Sequence, residues 1–327
     1  MEHRILGLAG ILIAGFAGLN LLAYNHAHAM THFTSVGSRT RKPEELQLLA
    51  KLKVLLVGVN VPRPTSNRSP SELDPGCQAL SIAGSDGVAL AAWYCDRGRE
   101  TPLAVLFHGY AADKTSLLPE AKAFLDLDAS VLLVDFRGSG ESSESYTTIG
   151  VLEADDVATV VRYARSRLSH PSVILFGQSM GAAAILRAVH EYGISPDAVI
   201  LEAVFDTLLN TVKNRFHAMG VPCFPSSQLL VYWGGQQWGF NGFAHNPVQY
   251  ATSLRCASLF MHGLDDPRAR LAEGRRVFAA APGPKPFQEF DAVGHEAYVS
   301  KYPRDWQAAV SGLMRRAEKK HAVAYRP

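Results

Sequence analysis

The stretch of this 327-residue chain best suited to covalent chemistry is Gly177-Gln178-Ser179-Met180-Gly181, a serine with glycines two residues to either side. A serine hydroxyl is a poor nucleophile until a base removes its proton. The apolar run at 172–176 reads as a buried strand, and the helix-forming run at 182–192 is closed by Gly193. Strand, sharp turn and helix form the context that lifts a nucleophile clear of a sheet edge. The flanking glycines are needed because strand and helix backbones come close there. Alone the pattern is weak: a chain of this length contains one by chance roughly one time in ten.

Three other groups complete the chemistry. His295, in Val293-Gly294-His295-Glu296, follows the last predicted strand and is a natural base because imidazole titrates near neutral pH. An acid to orient it comes from His262-Gly263-Leu264-Asp265-Asp266-Pro267, where both aspartates qualify. The order Ser179, Asp, His295 suits a nucleophile on such a turn. Donors for an oxyanion come from His108-Gly109-Tyr110 and from the residue after the serine. The candidates are the N–H groups of Tyr110 and Met180, each worth roughly 3–4 kcal/mol in a transition state. The His108 ring braces its loop.

For these groups to meet, they must lie beyond the carboxyl ends of one parallel sheet. Strands are predicted at 79–83 and 88–95, joined around Ser85-Asp86-Gly87, and then at 103–107, 130–134, 173–176, 198–201, 257–261 and 287–290. Helices are predicted at 117–127, 153–168, 182–192, 268–281 and 306–318. Short continuous apolar strands between helices define an α/β fold with a mostly parallel central sheet covered on both faces. The helix at 153–168 has an apolar stripe of Val157, Val160, Val161, Ala164 and Leu168, with acids in its first turn and arginines in its last. Residues from about 205 to 253 are too many for a connection and too few for an independent core, so they read as an inserted cap. Its apolar residues (Phe205, Phe216, Leu229, Leu230, Trp233, Trp238, Phe240) suit hydrophobic acyl groups or ordinary packing equally.

Taken together, these blocks resemble the α/β-hydrolase family, in its serine-hydrolase branch of monoacylglycerol-lipase-like and serine-aminopeptidase-like members. The resemblance rests on His108-Gly109, Asp135-Phe136-Arg137-Gly138-Ser139-Gly140-Glu141-Ser142, Gly177 to Gly181, His262 to Asp266, and Gly294-His295. It implies an α/β-hydrolase fold and a triad of Ser179, Asp266 and His295, since the family's acid lies four residues after the His of His-Gly-x-x-Asp. It also implies that Asp135 and Arg137 shape a turn and do no chemistry. The implied activity is cleavage of an ester, thioester or amide through an acyl-enzyme. No cofactor and no metal are expected. The other reading is a hydrolase-fold binding protein without turnover.

Residues 5–24 carry no charge and one strongly polar side chain, Asn20. Twenty residues at about 1.5 Å each span a hydrocarbon core of roughly 30 Å. A single-pass membrane anchor is expected. The alternative is an exported protein cleaved after Ala27-His28-Ala29. Glu2 and Arg4 on one flank and Arg39, Arg41 and Lys42 on the other leave the orientation open. A cluster of His26, His28 and His32 follows the apolar run and reads as solvated, with metal binding the weaker reading. A helix is predicted at 44–57, followed by a stiff connector bearing Pro62, Pro64, Pro70 and Pro75. The organisation expected is an anchor or signal segment at 1–29, a juxtamembrane helix and connector at 30–75, and a hydrolase domain at 76–320. With a formal net charge of +2, the chain lacks the basic footprint of a nucleic-acid partner. The partners expected are a small acyl ester or lipid-like substrate and the membrane. Of Cys77, Cys95, Cys223 and Cys256, the first two fall in adjacent predicted strands and are the pair to test for a disulfide; free thiols are the other reading.

Overall fold

A computed structural model describes residues 2–324; the side chains of residues 2, 4 and 5 and of residues 318–324 lie outside that description, including the flanking charges Glu2 and Arg4. The chain opens with α1 (Glu2–Thr31) and α2 (Leu48–Val57). Then follow β1 (Gln78–Ala83), β2 (Ala89–Cys95), β3 (Leu103–Phe107), α3 (Leu118–Asp126), β4 (Ser130–Val134), α4 (Glu153–Tyr163), β5 (Val173–Gln178), α5 (Met180–Tyr192) and β6 (Ala198–Glu202). The inserted segment holds α6 (Leu208–Met219) and α7 (Ser226–Gln237). The chain closes with α8 (Pro247–Ala251), β7 (Ala257–Gly263), α9 (Leu271–Ala280), β8 (Phe287–Phe290), α10 (Tyr298–Lys301) and α11 (Pro303–Ala324).

These elements form two compact units: Met1–Pro62 with Leu208–His245, and Arg63–Thr207 with Asn246–Pro327. The larger unit is built on an eight-stranded sheet in the order β1-β2-β4-β3-β5-β6-β7-β8. Strands β3 to β8 run parallel, while β1 and β2 form an antiparallel hairpin whose β2 edge pairs with β4. Period-2 alternation divides each central strand between two cores. Leu103, Val105 and Phe107 of β3 join the face covered by α4, α5 and α9. Ala104 and Leu106 join the other face, where Phe124 of α3 and Trp306 and Leu313 of α11 pack. With both faces covered, β3 to β6 can be apolar at every position, and all their residues are buried apart from Gln178.

Two predicted helices differ in detail. The helix predicted at 44–57 is a single turn at Pro43–Glu45 and then α2, because Leu46 and Gln47 are extended (ψ 133° and 161°). The helix predicted at 153–168 widens into a π-turn at Ala164–Leu168 and stops at Ser169, which is left-handed. Cys77 and Cys95 form a disulfide, one position beyond the Gln78–Tyr94 pair of the hairpin, and Cys223 and Cys256 are free.

In the smaller unit the second half of α1 packs along α7. Small residues allow the approach: Ala23 and Ala27 are buried, and Gly234 lies so close that an added methyl would touch Ala27. Trp233 donates its indole N–H to Asn20 Oδ1 (3.1 Å), the one polar side chain of the apolar run. Tyr24 packs edge-on against Trp233 at 5.5 Å, and His32 stacks on Trp238 at 4.8 Å. The first half of α1 is exposed, with Leu6, Leu12 and Phe16 among its bare side chains.

Candidate active site

Ser179 follows the last residue of β5 and precedes the first of α5, so the chain reverses at a single residue. Its backbone is at φ 53° and ψ −109°, a conformation that costs a non-glycine residue about 1–3 kcal/mol. The surroundings leave no room to relax. A Cβ on Gly177 would lie 2.6 Å from the N of Ala182, and one on Gly181 would lie 2.3 Å from the carbonyl oxygen of Phe107. Ser179 N donates to the carbonyl of Glu202 (2.8 Å), which ties the turn to the end of β6.

The loop that follows Phe107, the last residue of β3, runs beside this turn. Gly109 is close enough that an added Cβ would sit 3.7 Å from the Ser179 Cβ. Gly109 thus lies beside the serine with Tyr110 next in the chain, and Met180 N is the first amide of α5, outside that helix's own bonding. The His108 ring is fully buried and accepts from Phe136 N at Nε2 (3.2 Å), so it braces the ends of β3 and β4. Burial pushes its pKa down, which favours the neutral ring that this bond requires. Lys114 fixes the far end of the same loop. Its N–H donates to Asp135 Oδ1 (2.7 Å) and its Nζ to Asp135 Oδ2 (2.6 Å). Arg137 grips Asp156 through Nε and Nη2, so ion pairs hold both Asp135 and Arg137 of the Asp135–Ser142 turn.

Asp266 and His295 meet on the loops after β7 and β8. The imidazole Nδ1 donates to Asp266 Oδ2 at 2.7 Å, so Nε2 is the ring nitrogen left for a second proton. Asp266 Oδ1 accepts from the N–H groups of Arg268 and Ala269 (2.8 and 3.0 Å). Burial alone would raise this carboxyl, but the His295 charge and these donors outweigh it and hold it below its ordinary value. Asp265 is exposed, and its N–H donates to the Val293 carbonyl, joining the two loops. His262 is pinned elsewhere, its Nε2 donating to the Ala269 carbonyl at 2.7 Å.

Strand register brings the two halves to one rim. Gln178 pairs with Glu202, Glu202 with Met261, and Gly263 with Phe290. Ser179, Asp266 and His295 all lie just beyond this line. Among the described residues, no hydrogen bond joins the Ser179 hydroxyl to the His295 ring; such contacts in unliganded sites commonly tighten on substrate binding. A cavity of about 460 Å³ lined by Val189, Ile194 and Asp197 lies at the opposite rim, where β6 begins, and contains none of these groups. Among the described residues no three His, Cys, Asp or Glu side chains converge as a metal site, and His28 and His32 stack on each other.

The sequence reading missed a buried acid behind the serine. Glu202 accepts from Gln178 Nε2 (3.1 Å) and Trp306 Nε1 (3.2 Å), and Glu120 of α3 is its buried neighbour in charge. Burial raises Glu202 to about 7 and pushes Glu120 upward as well. A carboxylate ending an otherwise apolar strand was the available signal. Trp233 and Trp238, read as cap aromatics, are engaged by α1.

Residues 99–229 match the family described as serine aminopeptidase, S33. Lysophosphatidylserine lipase ABHD12 of Bos taurus is 25% identical over 210 residues, covering 61% of this chain and 50% of that protein. This chain thus spans about half the length of that relative. An uncharacterized protein of Mycobacterium tuberculosis is 26% identical over 231 residues, covering 69% of this chain and 75% of the relative. Among solved structures, Pyrococcus furiosus esterase Pf2001 superposes with a TM-score of 0.66 at 22% identity, covering 79% of this chain and 97% of that one.

Proposed function

We propose that the chain is a member of the α/β-hydrolase family, in its serine-hydrolase branch, and a membrane-anchored esterase that cleaves hydrophobic acyl esters through Ser179, His295 and Asp266. One observation carries this reading: the 2.7 Å Asp266–His295 pair lies at the same sheet rim as a serine held at φ 53°. Ser179 Oγ attacks the acyl carbonyl carbon as its proton passes to His295 Nε2. The N–H groups of Tyr110 and Met180 receive the charge that forms on the carbonyl oxygen. The C–O bond to the leaving alcohol then breaks, with the proton returned from His295 to that alcohol. Water, deprotonated by His295, attacks the acyl-enzyme and regenerates Ser179. Throughout, ionised Asp266 holds the imidazole in one tautomer and offsets its charge.

The likeness to a lysophosphatidylserine lipase and the long apolar helix favour a single-chain acyl lipid as the substrate class. The buried contacts of Ala23, Ala27 and Asn20 with α7 favour retention of α1 as an anchor over cleavage after Ala29. The Cys77–Cys95 disulfide favours a body on the oxidising side of that membrane.

A fluorophosphonate probe tests the chemistry. The wild type should be labelled and Ser179→Ala should not. A folded wild type that resists the probe and does not turn over short p-nitrophenyl esters would leave a hydrolase-fold binding protein.

A further inference from the structure

Apart from Tyr192 and Leu264, every large exposed hydrophobic side chain among the described residues lies in residues 1–62 or 208–245. Part of this surface is the apolar stretch of α1. The rest includes α2, a ten-residue helix with no buried residue. Leu48, Leu49, Leu52 and Leu56 of α2 are 73%, 82%, 48% and 72% exposed. At 3.6 residues per turn these four fall within an arc of about 100°. Lys51 and Lys53 border that arc on its two sides; Leu55, between Lys51 and Leu48, is half-buried, as are Ala50 and Val54 on the remaining side, where only the last residue, Val57, is exposed. A short helix with leucines in one stripe and lysines at its borders has the pattern of an interfacial helix, whose lysine stems lie along apolar surface with their ammonium groups at the headgroups.

The position of α2 on α1 sets its depth. The His26 ring donates through Nε2 to the Leu55 carbonyl (3.1 Å), and Gly58 lies against Ala29. The carboxyl end of α2 therefore meets α1 immediately after Tyr24, where Tyr24, Trp233 and Tyr232 form an aromatic cluster with centroids 5.5 and 5.0 Å apart. Aromatic side chains of this kind gather at membrane–water interfaces. From Leu6 to Tyr24, α1 is about 28 Å long, close to a hydrocarbon thickness. The apolar stripe of α2 is thus continuous with the surface of a helix of membrane-spanning length, at the level where that helix would leave the lipid.

We propose that α2 is a second membrane element, lying in the leaflet at which α1 emerges, with Leu48, Leu49, Leu52 and Leu56 in the acyl region and Lys51 and Lys53 at anionic headgroups. The proposal rests on the anchor reading of α1 and is independent of the chemistry at Ser179. The partner is the bilayer itself. A second copy of the chain or another protein on this stripe is the competing outcome.

The test uses the full chain in phosphatidylcholine/phosphatidylglycerol vesicles, with Cys223→Ser and Cys256→Ser as background and the disulfide intact. An environment-sensitive fluorophore is placed at Leu49→Cys, at Phe16→Cys as a probe of the span, and at Lys122→Cys as an exposed control on α3. With acyl-chain-brominated lipids, the probes at 49 and 16 should both lose emission and the probe at 122 should not. Quenching at 16 without quenching at 49 overturns the proposal. So does a blue shift at 49 that follows protein concentration and is insensitive to bromine, which would place a second copy on the stripe. Absence of quenching at both 16 and 49 overturns the anchor reading and the proposal together. Fluorophosphonate labelling of Ser179 in the same samples reports the catalytic reading separately.

Discussion

Glu202 gives this fold a stability that declines as pH rises. Its carboxyl ends β6, is fully buried, and takes hydrogen bonds from Gln178 and Trp306. Burial lifts its pKa from 4.5 to about 7. Between those values the folded chain keeps a proton that the unfolded chain has released. The contribution is complete below pH 4.5 and is lost as pH rises towards 7, at about 1.4 kcal/mol per pH unit. Over that window the loss amounts to about 3 kcal/mol, a large part of the 5–15 kcal/mol typical of a domain. Glu202→Gln keeps an acceptor and removes the titration. Denaturant unfolding of both proteins, followed by tryptophan fluorescence in one non-ionic detergent from pH 4.5 to 8, measures the difference. Subtracting one curve from the other largely cancels the groups they share. The variant should gain about 3 kcal/mol on the wild type between the two ends of the range. Glu120, raised by burial and by Glu202, titrates with its neighbour, so Glu120→Gln should change the same window, and the two effects should not add. A difference between Glu202→Gln and wild type that stays constant from pH 4.5 to 8 would refute the reasoning.

Lys114→Met should destabilise the protein by about 3–5 kcal/mol in the same assay, because it leaves the Asp135 carboxylate buried without its cation. Alkylation of the unreduced, denatured protein should modify Cys223 and Cys256 and spare Cys77 and Cys95 until a reductant is added. Modification of all four before reduction would exclude the disulfide and remove the argument for an oxidising compartment.

The central strands were readable because they are short runs of buried, almost wholly apolar residues, as in Leu103–Phe107 and Val131–Val134, and such runs between helices suit a parallel sheet covered on both faces. The turn at Ser179 was readable for a steric reason, since the glycines at 177 and 181 sit where backbone atoms leave no space for a Cβ. What escaped the sequence depends on partners remote in the chain. Asn20 stood out as a polar residue in an apolar run, but nothing nearby points to Trp233, 213 residues away. The break at Leu46 and Gln47 carries neither proline nor glycine, so helical periodicity ran through it. Glu120 looks like a surface residue of α3 and becomes a buried acid only when that helix docks on the sheet.

The packing of α1 on α7 bears on how the protein can be produced. A shortened chain beginning at residue 30 would lack more than a tether. It would strip the cover from Trp233 and Gly234, leave the Trp233 indole N–H without its acceptor, and offer a bare apolar groove to any neighbouring molecule. Aggregation of such a truncated form would follow from that missing helix and would say nothing about the integrity of the hydrolase sheet.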